Sequence, residues 1–218
     1  MRRVIRKGFR HWREHLRPRP TLSGVTPETH VLLLDVDGVL ITPDDFYGAK
    51  LFREHPDLMR DFMGTSFHSA STGRSDLLEH LPALMAAMGR TGDPGDFYRE
   101  WLEYENRPNV PMLDAVRELR SAGWRAYLAT NQEAHRTRHL LQESGLQGIT
   151  DGHFASYTVG HRKPTPEYYA EVTRQLSLPP EHLVFWDDAA ENVQAAREAG
   201  WTAHLFTGVA DFRRVMGL

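Results

Sequence analysis

The chain has 218 residues, of which 40% are hydrophobic and 25% charged, with a formal net charge of −3 and no cysteine. This composition is typical of a globular domain, and it excludes a disulfide framework and a cysteine-ligated metal site. No apolar run is long enough to cross a bilayer, so we expect no integral membrane segment, and the absence of cysteine fits a cytoplasmic location.

Residues 1–28 form a basic N-terminal extension and a linker. Eight of the 26 Lys and Arg residues, but one of the 29 acidic residues, lie in the first 20 positions. Ile5, Phe9, Trp12 and Leu16 recur at helical spacing, which predicts an amphipathic helix that ends at Pro18. We expect it to dock on the acidic remainder of the chain or in a homodimer; a membrane surface and a disordered tail are the alternatives. The acidic remainder argues against nucleic-acid binding.

The apolar run Val31–Leu34 leads directly into Asp35, and Asp37 and Gly38 follow. The run predicts a strand buried on both faces, which places Asp35 at its carboxyl end, where open α/β sheets bind ligands. Two carboxylates this close repel each other, and a bound Mg²⁺ would remove the repulsion. One carboxylate could then attack a phosphorus atom while the other handles the proton of the leaving group. The alternative is a pair of solvated aspartates before a turn.

Residues 46–108 differ in pattern from the chain on either side. Apolar residues recur at helical spacing between residues 77 and 85 and between residues 97 and 104, and no segment predicts a buried strand. We therefore predict a small helical domain inserted into an α/β core that comprises residues 29–45 and 109–218.

Helix and strand patterns alternate along the second part of this core. The predicted strands are residues 124–129, 154–158, 183–186 and 202–206, and helical patterns separate them. With the opening strand they predict a Rossmann-like parallel sheet with helices on both faces.

Polar side chains follow three of these strands. Thr130 and Asn131 could form a cradle for phosphate oxygens, although both residue types also cap helices. Lys163 could offer a mobile positive charge to a phosphoryl group, although a loop lysine is usually only solvated. Asp187 and Asp188 could complete the cation site, the alternative being helix N-capping.

The order of these motifs resembles that of the haloacid-dehalogenase-like (HAD) hydrolases. The resemblance covers residues 31–206 and rests on Asp35-Val36-Asp37-Gly38-Val39-Leu40, Thr130-Asn131, Lys163-Pro164, and Asp187-Asp188 with Asn192 following. It implies an HAD-like core in which residues 46–108 are a small helical cap, as in the epoxide-hydrolase-phosphatase and sugar-phosphatase branch. The implied activity is Mg²⁺-dependent hydrolysis of a small phosphorylated metabolite through an aspartyl-phosphate.

The resemblance also implies catalytic roles for individual residues. Asp35 would be the nucleophile, and Asp37 would protonate the leaving oxygen and then activate water. Thr130 and Asn131 would bind the transferring phosphoryl group. Lys163 would orient the nucleophile and neutralise charge.

The implied metal ligands are Asp35, the backbone carbonyl of Asp37, and Asp188, with Asp187 binding directly or through water. In the cap, Arg74 is a candidate for gripping a second anionic group, although a lone exposed arginine usually has no such role. The acid at position 37 favours a phosphatase or a phosphomutase over a dehalogenase, since halide needs no proton to leave. A phosphomutase and a non-catalytic binding module on this fold are the alternative functions.

Overall fold

A computed structural model describes residue 22 and residues 24–218 of the chain. Within this part, the strands are β1 (Val31–Leu34), β2 (Arg125–Thr130), β3 (Gly152–Ala155), β4 (Leu183–Asp187) and β5 (Thr202–Leu205). They form one sheet in the order β3-β2-β1-β4-β5, and every pairing is parallel. The predicted Rossmann-like parallel sheet is confirmed. The predicted N-terminal helix lies outside the described residues, so its docking stays a prediction.

Helices connect the strands. Between β1 and β2 lie α1 (Tyr47–Glu54), α2 (Pro56–Gly64), α3 (Ser66–Ser71), α4 (Leu81–Ala87), α5 (Pro94–Glu105) and α6 (Val110–Ser121). The later helices are α7 (Ala134–Gln142), α8 (Ser156–Val159), α9 (Pro166–Leu176), α10 (Ala190–Glu198) and α11 (Val209–Met216). Single 3₁₀ turns lie at Leu77–Glu79, Leu146–Gly148 and Pro180–His182.

Strand β1 is buried on both faces of the sheet. Leu32 and Leu34 pack with residues of α6, α7 and α11, whereas Val31 and Leu33 pack with residues of α9 and α10. Because successive side chains of a strand point to opposite faces, a strand covered on both faces needs an uninterrupted apolar run. This requirement explains the sequence of β1 and places it at the centre of the sheet.

Helices α1–α5 pack around a hydrophobic cluster of their own, and we call them the helical unit. Members of this cluster include Tyr47, Leu51, Met59, Phe62, Leu81, Leu84, Phe97 and Trp101. The unit lies within the segment for which the sequence predicts an inserted cap. The domain boundaries and the role of the unit as a cap stay predictions.

The sequence prediction was wrong about where β3 lies. The strand spans Gly152–Ala155, and the next residues form α8 instead of continuing as a strand. The reason is that β2 ends at Thr130, which pairs with Ala155, so a longer β3 would have no partner. Among the described residues, no helix is both long enough and apolar enough to cross a bilayer; the cytoplasmic location stays a prediction.

Candidate active site

The parallel register gathers the predicted site residues at one edge of the sheet. Leu34, the last residue of β1, pairs with Leu128 in β2 and with Trp186 in β4. The backbone N–H of Asp35 then donates to the carbonyl oxygen of Trp186 at 2.9 Å. Since the carboxyl ends of parallel strands coincide, the polar residues that follow them meet there.

One carboxylate oxygen of Asp35 is held in place. Its Oδ1 accepts a hydrogen bond from the Val36 backbone N–H at 2.7 Å and lies 2.9 Å from Nζ of Lys163. No hydrogen bond from the described residues reaches its Oδ2. Burial raises the pKa of Asp35 to about 7; Lys163 opposes this shift, while the Asp187 and Asp37 carboxylates add to it. The arrangement fixes one oxygen and leaves the other available for attack.

Lys163 is buried between two carboxylates. Its Nζ lies 2.9 Å from Oδ1 of Asp35 and 2.6 Å from Oδ2 of Asp187. Burial by itself would lower the pKa of Lys163, but the two carboxylates outweigh it and raise the pKa. Asn131 fixes the lysine's backbone, since its side chain donates to the Lys163 carbonyl at 2.8 Å and accepts from the Lys163 N–H at 2.9 Å. The lysine therefore stays charged and well positioned.

Asp187 and Asp188 differ in how many hydrogen bonds their carboxylate oxygens accept from the protein. Asp187 is fully buried; Oδ1 accepts from the backbone N–H of Ala189 at 2.8 Å, and the Asn192 amide lies 3.1 and 3.0 Å from its two oxygens. Asp188 is exposed and faces Gly38, where an added Cβ would clash with the Asp188 carboxylate. Partial desolvation of its carboxylate, followed by the negative charge of Asp187, raises the pKa of Asp188.

Three carboxylates form a candidate metal centre. Asp35, Asp187 and Asp188 each offer an oxygen, and these atoms lie within 4.8 Å of one another. An all-oxygen donor set suits a hard divalent cation. Because Asp187 already accepts hydrogen bonds on both oxygens, the geometry favours Asp35 and Asp188 as the direct ligands.

Asp37 is held by a different set of partners. Its Oδ2 accepts from Nε2 of Gln132 at 2.7 Å, and its Oδ1 accepts from Nη2 of Arg136 at 2.7 Å. Arg136 forms a second ion pair, at 3.0 Å, with Glu105 at the end of α5. The same glutamate accepts a hydrogen bond from the Trp101 indole at 2.8 Å. Through Arg136, the Asp37 carboxylate is therefore tied to the helical unit.

A cavity of about 270 Å³ lies beside Asp37, between the helical unit and the start of α7. Asn131, Gln132, Arg136 and Arg162 contribute polar groups to its wall. The guanidinium of Arg162 lies 5.7 Å from the ring centre of Phe67 and forms no ion pair with the described residues. Burial lowers the pKa of Arg162. Since Asp37 lines this space, the cavity adjoins the group suited to protonate a leaving oxygen.

The structure brings most of the predicted site residues together, with one exception. Asp35, Asp37, Lys163 and the two aspartates at the end of β4 meet as described, and Thr130, which is 2% exposed, ends β2 beside them. Arg74 is exposed in the turn after α3 and does not line the cavity beside Asp37. The structure places Arg162 there instead.

Sequence reasoning missed four residues of the site. Gln132 directly follows the Thr130-Asn131 motif, and Arg136 lies in the first turn of α7 shortly after it, so closeness to the motif in the sequence was the available signal for both. Arg162 directly precedes Lys163, and this adjacency in the sequence was the feature that could have indicated its place in the site. Glu105 lies in a helix far from every motif in the sequence, and no local pattern marks it.

Comparisons with known proteins agree with this geometry. A family model described as haloacid dehalogenase-like hydrolase matches residues 29–200. The sesquiterpene phosphatase astK of Aspergillus oryzae is 36% identical over 115 residues, which are 51% of this chain and 59% of that protein. The chain thus spans about three fifths of that relative. The D-ribitol-5-phosphate phosphatase of Bacteroides thetaiotaomicron is 24% identical over 154 residues, covering 68% of this chain and 74% of that one.

Solved structures show the same fold. An HAD family enzyme of Bacteroides thetaiotaomicron, in complex with magnesium and inorganic phosphate, superposes with a TM-score of 0.70. Its sequence is 21% identical, and the match covers 81% of this chain and 93% of that one.

Proposed function

The chain belongs to the haloacid dehalogenase-like hydrolase family, and on that premise we propose that it is a Mg²⁺-dependent phosphatase acting on a phosphate monoester of a small metabolite. The observation that carries the proposal is the buried Asp35–Lys163 pair, in which one Asp35 oxygen is fixed and the other is available. The phosphatase names of both relatives support it.

In the first step, Oδ2 of Asp35 attacks phosphorus, and the bond from phosphorus to the leaving oxygen breaks. The electron pair of that bond stays on the leaving oxygen, which takes a proton from the acid form of Asp37 and departs as an alcohol. Thr130, at the end of β2, and Asn131, which follows it, bind the oxygens of the transferring group. Asn131 does so through its backbone N–H, because its side-chain amide is paired with the Lys163 backbone. Lys163 keeps Asp35 oriented and offsets charge as the phosphoryl group arrives.

In the second step, the Asp37 carboxylate takes a proton from a water molecule. The resulting hydroxide oxygen attacks phosphorus, the bond between phosphorus and Asp35 breaks, and inorganic phosphate leaves. Asp37 ends the cycle protonated and Asp35 ends it as a carboxylate. Gln132 and Arg136 hold the Asp37 side chain during both proton transfers.

The cofactor is Mg²⁺, and Asp35 and Asp188 would hold it together with the backbone carbonyl of Asp37. The donors are oxygen atoms, and the absence of a side chain at Gly38 leaves room for the Asp188 carboxylate. When bound, Mg²⁺ supplies positive charge against the phosphate and the clustered carboxylates.

The test is hydrolysis of p-nitrophenyl phosphate by the purified protein, with Mg²⁺ and with chelator, beside an Asp35→Asn variant. We expect activity that requires Mg²⁺ and falls at least ~10³-fold in the variant, because the nucleophile is lost. Activity that survives Asp35→Asn would contradict the proposal.

The two relatives differ in the alcohol that their names state, a sesquiterpene in one and the sugar alcohol ribitol in the other. The leaving group of this chain's substrate therefore has to be inferred from the cavity beside Asp37.

A further inference from the structure

We propose that the substrate is the phosphate monoester of an apolar alcohol, and that the hydrocarbon part of this alcohol lies in the cavity beside Asp37. The inference rests on the proposed phosphatase function, since it assigns the leaving group of that same reaction. Asp37 lines the cavity, so an alcohol whose oxygen takes a proton from Asp37 extends into this space.

The helical unit gives the cavity an apolar wall. The side chains contributed by the helical unit and by the turns beside its helices include Phe46, Ala49, Met63, Phe67, Leu77 and Trp101. A hydrocarbon gains free energy by leaving water for such a surface, roughly in proportion to the area that it buries. A sugar would instead give up the hydrogen bonds that its hydroxyl groups make with water.

The polar atoms on this wall already have partners within the protein. The Trp101 indole N–H and the Gly48 backbone N–H both donate to Oε1 of Glu105, at 2.8 and 3.2 Å. The Tyr98 hydroxyl donates to Glu133. A sugar hydroxyl that entered the cavity would lose its hydrogen bonds to water, and none of these three donors is free to replace them. Breaking one of the three pairs would instead leave a buried carboxylate oxygen without its donor.

The remaining polar groups that line the cavity come from the core segments that also carry Asn131 and Lys163. Arg136 is paired with Asp37 and Glu105, and the Asn131 amide is paired with the Lys163 backbone. Among the described lining residues, two buried acceptors have no hydrogen-bond donor, Oε1 of Gln132 and Oε2 of Glu105. The Glu105 oxygen is neutralised by the Arg136 guanidinium at 3.0 Å, which leaves the Arg162 guanidinium and Oε1 of Gln132. One cation and one acceptor match a single phosphate group and one O–H, such as that of the attacking water. They do not match a polyol.

The size of the cavity limits the alcohol to a small one. Its volume of about 270 Å³ lies just below the roughly 300–1,000 Å³ range of ligand pockets. We therefore infer a short or medium hydrocarbon carrying one phosphate.

Two six-carbon esters of primary alcohols, hexyl phosphate and glucose 6-phosphate, provide the first test, with p-nitrophenyl phosphate as the common reference. Both esters release the oxygen of a primary alcohol, so the comparison tests the polarity of the rest of the alcohol. We expect kcat/KM for hexyl phosphate to exceed that for glucose 6-phosphate by ~10²-fold or more. In the series from butyl to octyl phosphate, kcat/KM should rise about four-fold per added methylene until the cavity is filled.

A substitution in the apolar wall provides the second test. Met63→Gln keeps the length of a half-buried side chain but adds an amide to the cavity. We expect ~10-fold lower kcat/KM for hexyl phosphate and little change for glucose 6-phosphate. Met88→Gln is the matched control, because Met88 is also half-buried in the helical unit but does not line the cavity; it should change neither value.

The outcomes separate this inference from the phosphatase assignment. Equal rates for the two six-carbon esters, or a preference for glucose 6-phosphate, would overturn the apolar leaving group and leave the phosphatase intact, provided that p-nitrophenyl phosphate hydrolysis requires Mg²⁺ and Asp35. If no ester is hydrolysed in an Asp35-dependent way, both proposals fail.

Discussion

Asp35 and Asp37 are neighbours in the chain but have separate partners in the fold. Lys163, from the loop between α8 and α9, holds Asp35. Gln132, just before α7, and Arg136, in its first turn, hold Asp37. A nucleophile needs a fixed carboxylate with one available oxygen, and a proton donor has to face the leaving group. The two sets of partners meet these two requirements at adjacent positions.

At Asp37, the role of proton donor predicts a dependence on the leaving group. In Asp37→Asn, we expect kcat/KM to fall ~10²–10⁴-fold for hexyl phosphate, because an alkoxide leaves poorly without a proton. The loss for p-nitrophenyl phosphate should be at least ten-fold smaller, since its leaving group departs as a stable anion, although Asp37 still serves as the base for water. Steady-state kinetics on the two esters measure this, and equal losses would argue against the role of proton donor.

The two arginines at positions 74 and 162 give a matched comparison. Arg162 lines the cavity without an ion pair among the described residues, whereas Arg74 is exposed outside it. Arg162→Ala should raise KM for p-nitrophenyl phosphate about ten-fold, the scale of one charge-assisted hydrogen bond, and Arg74→Ala should leave KM unchanged. A larger effect at position 74 would restore the sequence-based assignment of Arg74 to the anion.

At the scale of elements, the loop after β1 determines whether Asp188 can reach the metal centre. Gly38 has φ +76° and faces the Asp188 carboxylate, into which a Cβ would project. Gly145 has φ +75° but no atom within 4 Å of an added Cβ. The two glycines therefore share the left-handed backbone and differ in what surrounds them.

We expect both Gly38→Ala and Gly145→Ala to lower the free energy of unfolding by about 1 kcal/mol, because alanine is strained at positive φ. Gly38→Ala should in addition abolish most of the Mg²⁺-dependent activity by displacing Asp188, and Gly145→Ala should retain it. Urea denaturation and p-nitrophenyl phosphate hydrolysis measure the two effects separately. If the two variants lose the same fraction of activity, contact with Asp188 is not the cause.

The junction between α5 and α7 is the second element that shapes the site. Tyr98 of α5 donates to Glu133, which caps α7, and Glu105 of α5 pairs with Arg136 of α7. Both contacts join the helical unit to the segment that holds Asp37. The position of the helical unit and the position of the Asp37 side chain are therefore linked by direct contacts.

At the scale of the whole molecule, the clustered carboxylates lead us to expect that the stability of the fold depends on Mg²⁺. A ligand that binds only the folded state stabilises it by about 2.7 kcal/mol at a concentration of 100 Kd. We therefore expect saturating Mg²⁺ to raise Tm by several degrees and a chelator to reverse the rise. Thermal unfolding measured with and without Mg²⁺ tests this.

Variants at two neighbouring acidic residues test whether Mg²⁺ raises Tm by binding at the proposed site. Asp188→Ala should remove most of the Mg²⁺-dependent rise in Tm, because a proposed direct ligand is lost. Glu191→Ala, a change at an exposed acid in the first turn of α10, should retain the rise. An unchanged rise in Asp188→Ala would place the cation elsewhere.

The sequence alone determined the parallel sheet and, except for β3, where its strands end, because both follow from local patterns. An uninterrupted apolar run followed by an acid indicates a buried parallel strand and its carboxyl end, and parallel register then brings Asp35, Thr130 and Asp187 to one edge. The family resemblance followed from the same strand-end motifs, and the family match confirms it.

Only the tertiary structure decided which side chains pair at that edge and what surrounds the leaving group. The Asp37–Arg136 contact spans 99 positions, and the contact of Arg136 with Glu105 depends on how α5 packs against α7. Arg162, and not Arg74, lines the cavity because loops from the core and the helical unit meet there. Such pairings depend on distances between elements, and no local pattern of residues encodes those distances.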